Sequence, residues 1–561
     1  MSLRRCHNST SRPSTHVTGW HVSHFRSVKS AIAACLLALG VVAFGVTYRI
    51  GVASGADPYG YLSQADLWRS GNLHVSQPFV RDLPWPDAAE TASPLGYRPA
   101  ARAELDEIVP VYSPGLPLLF AAAKSLGGQA AAFWVVPLFA GLLVIATYGV
   151  GARIGGGAVG LAAALLTASS PVVLAMALWP MTDCVVAAAW ACATWSVLGP
   201  SRRRAGVGGL FASMAILIRP NLVFVGVLMG VWMILRDVRR DGPWWRVDRA
   251  AVFAAASVPG IAAVMVINNA LYGSPFMSGY GSLGSVLHLS NLWPNVTRYA
   301  SWLSLSQTPF MALGLVPLAL PIAFIWRDRE RAFDALLLSL IAAGTLSCYL
   351  FFMPMEEWSY LRFLMPMWPG LFIGLSWLLF MRGGWMRAAA ATLVILALGY
   401  QGVSFAEQKK IQTTRVGERR FITAAELTRA HTEPNSAVFT FAHSGTLRYY
   451  GERMSLRYDK LAPEWLDPGV AWLSQHGAHP YLLVDDWELK MWKERFGATS
   501  PLGRMEMKVV VELEWPIHMW LFDLTAPKTT TWPKVGSFKE PELRRSVPPA
   551  VAPTLTFRPL R

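Results

Sequence analysis

Asp57, Asp183, Arg219 and Arg362 are the residues of this chain whose types and placement could do chemistry. Each stands at the end of an apolar run, while the centres of those runs hold almost no ionisable groups. Carboxylates exchange protons, and the planar guanidinium fork grips anionic oxygens. Acids and arginines gathered at one membrane edge describe a cavity opening at that leaflet. A proton-coupled transporter would place charges or interrupted helices near the midplane, so the pattern favours chemistry at an interface over transport.

Each residue also has a purely structural reading. Asp57 precedes Pro58, a good helix start in which the carboxylate caps free N–H groups and proline occupies the first turn. Tyr61, Ala65 and Trp68 then share a face lying on the membrane surface. Asp183, beside Thr182, can cap its own span in the same way. Arg362 can anchor at the interface or pair with Glu356 or Glu357, and Arg219, before Pro220, can serve packing alone.

The elements that must position these residues are membrane helices. The chain has 561 residues, 53% hydrophobic, 12% aromatic and 15% charged, with 24 Trp and a mean hydropathy of +0.34, which excludes an ordinary water-soluble enzyme. Runs of roughly 20 apolar residues predict about eleven spans, at 31–52, 128–152, 158–178, 183–199, 205–219, 221–235, 250–270, 309–326, 334–353, 363–381 and 387–403. The net charge of +15 comes in short clusters between these runs, which is a topology signal and not a nucleic-acid surface. Residues 1–30 carry Arg4, Arg5, Arg12, Arg26 and Lys29 without a small-residue cleavage site, so the first span reads as a retained anchor with a cytoplasmic N-terminus.

From that anchor, one side of the membrane collects Arg153, Arg202 to Arg204, Arg236, Arg239, Arg240, Arg246, Arg249, Arg327, Arg329, Arg331, Arg382 and Arg387. The short connections on the other side hold Arg219, Arg298 and Arg362. The positive-inside rule places residues 53–127 and everything after about 404 outside the cytoplasm, in a multi-pass protein of the cytoplasmic membrane. Five Cys, mostly in or beside spans, give no disulfide scaffold to the external parts.

The domains are therefore a cytoplasmic segment (1–30), a membrane domain (31–405) with a long first external loop (53–127), a small α/β domain (406–526) and a Pro-rich tail (527–561) that reads as disordered. In the α/β domain, "AVFTFAH", "YLLVDD" and "MKVVVELE" suggest strands, and "GERRFITAAELTRAH", "PEWLDPGVAWLSQHG" and "WELKMWKERFG" helices. "HSGTLRYYGERMSLRYD" brings His443, Arg448 and Arg453 among tyrosines, where a glycan contact and plain packing are equally well accommodated. In the first loop, Tyr97 and Arg98 in "PLGYRP" and Tyr112 in "VYSPGLP" lie among prolines and glycines that suggest rigid turns packed on the bundle.

The ordered series "GADPYGYLSQA", "VYSPGLPLLF", "WPMTDCV", "LIRPN", "NNALYGSPFMSGYG" and "SYLRFLMP", spread over residues 30–405, resembles the GT-C class of membrane glycosyltransferases. Within it, the likeness is to the bacterial relatives of protein mannosyltransferases and of the aminoarabinose transferase that modifies lipid A. The resemblance implies transfer of a sugar from a polyprenyl-phosphate donor to a lipid, glycan or protein hydroxyl outside the cytoplasm, with inversion. It makes Asp57 the base or acceptor-orienting acid and Asp183 a second acid that helps bind acceptor or metal. Arg362 and Arg219 would hold the donor phosphate, and Tyr61, Tyr97, Arg98 and Tyr280 would contact substrate.

That division of labour suits the chemistry. A sugar phosphate already has a good leaving group, so the needs are a base for the incoming hydroxyl and positive charge for the departing phosphate. One departure is plain: many relatives have a second acid directly after the first, and here it is Pro58, which leaves a metal role for that neighbour without support. With no HExxH and no paired CxxC, a dedicated zinc site has no sequence basis. No cofactor is called for, although a weakly held divalent ion between Asp57 and Asp183 is left open. The competing readings are a transporter or flippase of lipid-linked glycans and a non-catalytic scaffold whose C-terminal domain binds a partner.

The orientation is directly testable. A reporter active only outside the cytoplasm should work when fused after Phe405 and be silent when fused at Arg240; the reverse would overturn the assignment.

Overall fold

The computed structural model describes residues 17–558 apart from 102–105, 240–246, 283, 285–286, 320–327, 382, 515–516 and 537–552. Among the described residues, seven helices are long and apolar enough to cross a membrane: Val28–Tyr48, Gly115–Gly155, Pro220–Arg239, Asp248–Tyr272, Arg329–Tyr349, Trp358–Phe380 and Trp385–Gln408. The difference from eleven has local causes. The expected span 158–178 is broken into Gly157–Ser169 and Pro171–Met176, because Pro171 forces the preceding Ser170 out of the helical region. The expected spans 183–199 and 205–219 are helices Thr182–Val197 and Arg202–Ile218, of 16 and 17 residues. The span expected at 309–326 begins as a tight turn of helix, Pro309–Leu315, and continues outside the described residues.

The first external loop is built, not merely turned. Helix Asp57–Arg69 is followed by β1 (Val75–Ser76), β2 (Tyr97–Pro99) and β3 (Glu107–Pro110), which form an antiparallel sheet in the order β1-β3-β2. The expectation that Tyr61, Ala65 and Trp68 lie on the membrane surface is corrected. The helix is buried from Pro58 to Leu67, because it is sandwiched between the long helix Gly115–Gly155 and helix Ser444–Tyr450 of the C-terminal region. Two glycines permit that sandwich: a Cβ on Gly60 would stand 2.0 Å from the Tyr112 ring, and one on Gly445 would stand 2.2 Å from the Tyr59 ring.

Residues after 408 form a mixed six-stranded sheet of β4 (Ser436–Phe439), β5 (Met454–Leu456), β6 (His479–Asp485), β7 (Lys508–Leu513), β8 (Met519–Asp523) and β9 (Lys534–Val535), in the order β5-β4-β6-β8-β7-β9. β4 runs parallel to β5 and β6, and β8 is antiparallel to β6 and β7. Helices Arg420–His431, Leu466–Gln475 and Asp486–Phe496 occupy the three segments expected. The strands are short apolar runs bounded by turns, hence buried on both faces where parallel.

Tyr97 and Tyr112, in the turns expected to pack on the bundle, belong to the core that holds the membrane helices, while another stretch of the loop packs on this sheet. Phe79, Val80, Leu83 and Trp85 share one core with Phe439, Leu456, Leu482 and Trp492. The expectation of a disordered tail also needs correcting. β9 pairs with β7, Leu555 is 4% exposed in that same core, the Phe557 ring meets Trp472, and Arg558 N–H donates to His476 O at 2.9 Å. Two apolar side chains and a few backbone bonds suffice to dock a segment too short to show periodicity; residues 537–552 and 559–561 lie outside the described residues.

Burying a leucine side chain stabilises by about 1.5–3 kcal/mol. Deletion of residues 553–561 should therefore lower the unfolding free energy of the purified chain by at least about 1.5 kcal/mol, read as a lower denaturation midpoint, and an unchanged midpoint would show the segment to be undocked.

Candidate active site

Asp57 opens its helix, but its side chain does not cap it. The preceding Ala56 is already helical and no side-chain capping bond forms. The carboxylate instead accepts a hydrogen bond from the Tyr112 hydroxyl at 2.7 Å and faces Arg362 Nη2 at 3.6 Å. Asp183 likewise sits in the first turn of Thr182–Val197 without a side-chain cap. It is 1% exposed and accepts from Arg219 Nη2 at 2.5 Å. The acids keep a favourable place at a helix start while turning their oxygens to arginines from other elements.

The two arginines are held differently. Arg219, at the end of Arg202–Ile218 where Pro220 stops the helix, also donates to Thr182 Oγ1 at 3.1 Å and Tyr349 OH at 3.4 Å. Arg362 lies in the turn Trp358–Met367. Its Nε is buried without a hydrogen-bond partner, and its Nη1 meets the thioether of Met181 at 2.8 Å, a weak acceptor. Both guanidiniums lie against the Phe363 ring, at 5.5 and 5.4 Å, and Arg362 also lies 5.0 Å from the Tyr360 ring. Phe363 is stacked in turn on Tyr349.

Tyrosines line one side of Asp57. The rings of Tyr61 and Tyr112 lie 4.4 Å apart, and Tyr280 meets Tyr112 edge-on at 6.2 Å while remaining 60% exposed. Burial and the Asp57 carboxylate push the Tyr112 hydroxyl well above its ordinary range, so it stays a protonated donor. Tyr112, for which the sequence left a site role and packing both open, thus bonds the Asp57 carboxylate directly. Thr182 and Tyr349 join the site, having given no sequence signal. Arg98 donates to Gly279 O at 3.3 Å and so tethers the turn that carries Tyr280. Tyr97 is displaced from its expected role: it is 4% exposed, bonded to Ser63 at 3.0 Å and packed on Tyr59, so it supports the helix from behind.

A divalent ion between Asp57 and Asp183 fits poorly, since each carboxylate already faces a guanidinium. A second cluster, His443, Asp485 and Glu488, has its ligand atoms within 4.8 Å of one another and is fully buried. Its carboxylates are spent as well, while His443 Nδ1 is buried without a hydrogen-bond partner. Asp485 and Glu488 form the capping box of helix Asp486–Phe496, Asp485 also accepts from Arg420 at 3.2 Å and pairs with His443 at 2.8 Å, and Glu488 accepts from Ala442 N and Tyr458 OH. Burial raises Glu488 above the usual carboxylate range. It acts on Asp485 in the same direction, but His443 and Arg420 outweigh it and hold Asp485 below that range. The cluster reads as a cap closed by Arg420.

The architecture is the GT-C fold of membrane glycosyltransferases. Two solved structures illustrate it: ArnT from Cupriavidus metallidurans bound to undecaprenyl phosphate, and the oligosaccharyltransferase AglB from Archaeoglobus fulgidus in complex with an inhibitory peptide and a dolichol-phosphate. The first superposes with a TM-score of 0.54 at 12% identity, covering 90% of this chain and 98% of its own. The second has a TM-score of 0.54 at 12% identity, covering 88% and 73%. No family model and no curated sequence matches the chain.

Removing one partner of a buried ion pair costs about 3–5 kcal/mol, because the other charge is stranded. Asp183→Ala should destabilise the detergent-purified protein by that order in a thermal or denaturant melt, and Asp183→Asn by less. Equal stability of all three would show that Arg219 does not depend on the pair.

Proposed function

We propose that this protein transfers a sugar from a polyprenyl-phosphate donor to a hydroxyl of a lipid, glycan or protein acceptor, with inversion, at the outer face of the cytoplasmic membrane. The N-terminus is cytoplasmic and the α/β domain lies outside. The observation that carries this reading is Arg362. A guanidinium that is desolvated beside a carboxylate, with one buried donor unpartnered and another spent on a thioether, has the capacity an arriving phosphate would fill. ArnT bound to undecaprenyl phosphate and AglB in complex with a dolichol-phosphate support a lipid phosphate as the anion.

In the reaction, the acceptor oxygen attacks the anomeric carbon from the face opposite the phosphate, the bond from that carbon to the phosphate oxygen breaks, and the acceptor proton passes to Asp57. Arg362 turns from Asp57 toward the phosphate and disperses the charge it gains, which also frees Asp57 to accept the proton. Tyr112 keeps the carboxylate aimed throughout. Arg219, with each of its nitrogens already bonded to Thr182, Tyr349 or Asp183, braces Phe363 and the wall on which Arg362 rests.

Because Asp57 does not cap its helix, Asp57→Asn should insert and fold normally and still bind donor. Loss of a general base typically costs about 10²–10⁴-fold, so its transfer rate on purified protein should fall at least roughly a hundredfold. Arg362→Lys should weaken donor binding and Arg362→Ala weaken it further in the same assay. A normal rate for Asp57→Asn would remove the catalytic assignment.

A further inference from the structure

Asp57 is bracketed by bonds from the C-terminal domain. Four residues before it, Ala53 N–H donates to Tyr450 OH at 2.9 Å. Nine residues after it, Asp66 Oδ2 accepts from Tyr449 OH at 2.8 Å and from Lys124 Nζ at 2.7 Å. Lys124 also donates to Tyr449 OH at 3.2 Å and to Leu62 O at 3.1 Å, and Gln129 Nε2 reaches the same hydroxyl. Lys124, Asp66 and Tyr449 are 2%, 6% and 1% exposed. A buried charge pair satisfied on several sides has directional bonds that an apolar contact lacks, so it sets the register of the helix as well as its burial.

Both tyrosines belong to one short helix, Ser444–Tyr450. The remainder of that helix grips the same loop. Gly445 abuts the Tyr59 ring, Ser444 Oγ accepts from Leu95 N at 3.1 Å, and Arg448 donates to Gln77 Oε1 at 2.7 Å and Ala92 O at 2.6 Å. The acid-bearing helix therefore has one wall from the membrane bundle, through Lys124, and one from the C-terminal domain.

We propose that Tyr449 and Tyr450 are positioning residues for Asp57, so that the C-terminal domain completes the active site without touching substrate. The inference rests on Asp57 acting as the base. A displacement of about 1 Å in a reacting group costs on the order of a hundredfold in rate, whereas donor binding through Arg362 does not involve these bonds.

The test is steady-state transfer by the purified full chain carrying Tyr449→Phe or Tyr450→Phe, with rates expressed per folded enzyme and Asp57→Asn run alongside. We expect kcat to fall by about tenfold or more, with KM for the lipid-linked donor changed by less than about twofold. Unchanged kcat per folded molecule with a lowered melting temperature would reduce the two tyrosines to structural contacts and overturn the proposal. So would a rise in donor KM at constant kcat, which would make the domain a donor-binding element. If Tyr449→Phe fails to accumulate, Tyr450→Phe, which removes one bond to a backbone N–H, decides the matter by the same criteria. Full activity of Asp57→Asn would overturn the functional reading itself and leave no base to position; a slow Asp57→Asn with a fast Tyr449→Phe and Tyr450→Phe would overturn the positioning alone.

Discussion

The site depends on keeping two arginines out of water beside one phenyl ring. Desolvating a guanidinium costs several kcal/mol unless oxygens surround it, and the chain meets that demand unequally. Arg219 has a carboxylate, a threonine hydroxyl and a tyrosine hydroxyl. Arg362 has a carboxylate at longer range and a sulfur. The unequal supply separates a residue that holds the wall from a residue that has donors to give. Because Phe363 touches both, the strong pair steadies the weak one.

This arrangement requires four chain segments to meet: the start of helix Asp57–Arg69, the start of Thr182–Val197, the stop after Ile218 and the turn Trp358–Met367. Proline recurs where they meet, at Pro58, Pro220 and Pro366. It starts or interrupts helices at set points and so brings helix ends, with their side chains, to a common level. The bundle supplies three of the segments directly. The fourth, in the first loop, is held down by the C-terminal sheet, which shares Phe79, Leu83 and Trp85 with that loop.

Much of this was legible in the sequence, and the failures have physical causes. Charges at the ends of apolar runs pointed to Asp57, Asp183, Arg219 and Arg362 because lipid permits few exceptions to that placement, and the structure joins them in two ion pairs whose arginines share the Phe363 ring. Three strands and three helices of the C-terminal region were readable from short apolar runs. Tyr112 was not assigned, because its bond to Asp57 spans 55 residues and is created by a sheet of two- to four-residue strands with no periodicity to read. Tyr97 was given a substrate contact, and of its two readings the packed one is what the structure shows: its hydroxyl is bonded to Ser63 and its ring lies on Tyr59, partners 34 and 38 residues earlier in the chain. Among the described residues the long apolar helices differ from the expected spans where Pro171 divides one apolar run and where two helices have 16 and 17 residues. The tail was misread because Leu555 and Phe557 anchor it by two contacts, too few to make a pattern.

The shared core of loop and sheet sets an order of events during synthesis. Gln77 and its partner Arg448 are 371 residues apart, and at translation rates of about 5–20 residues per second the loop waits roughly 20–70 seconds for the surface that will cover Phe79 and Trp85. Throughout that interval the segment is an unpartnered apolar stretch beside a growing membrane bundle. Its prolines, Pro78, Pro84 and Pro86, deny it the backbone donors from which intermolecular strands are built. The same residues that shape the finished loop thus keep it from aggregating while the rest of the protein is still being made.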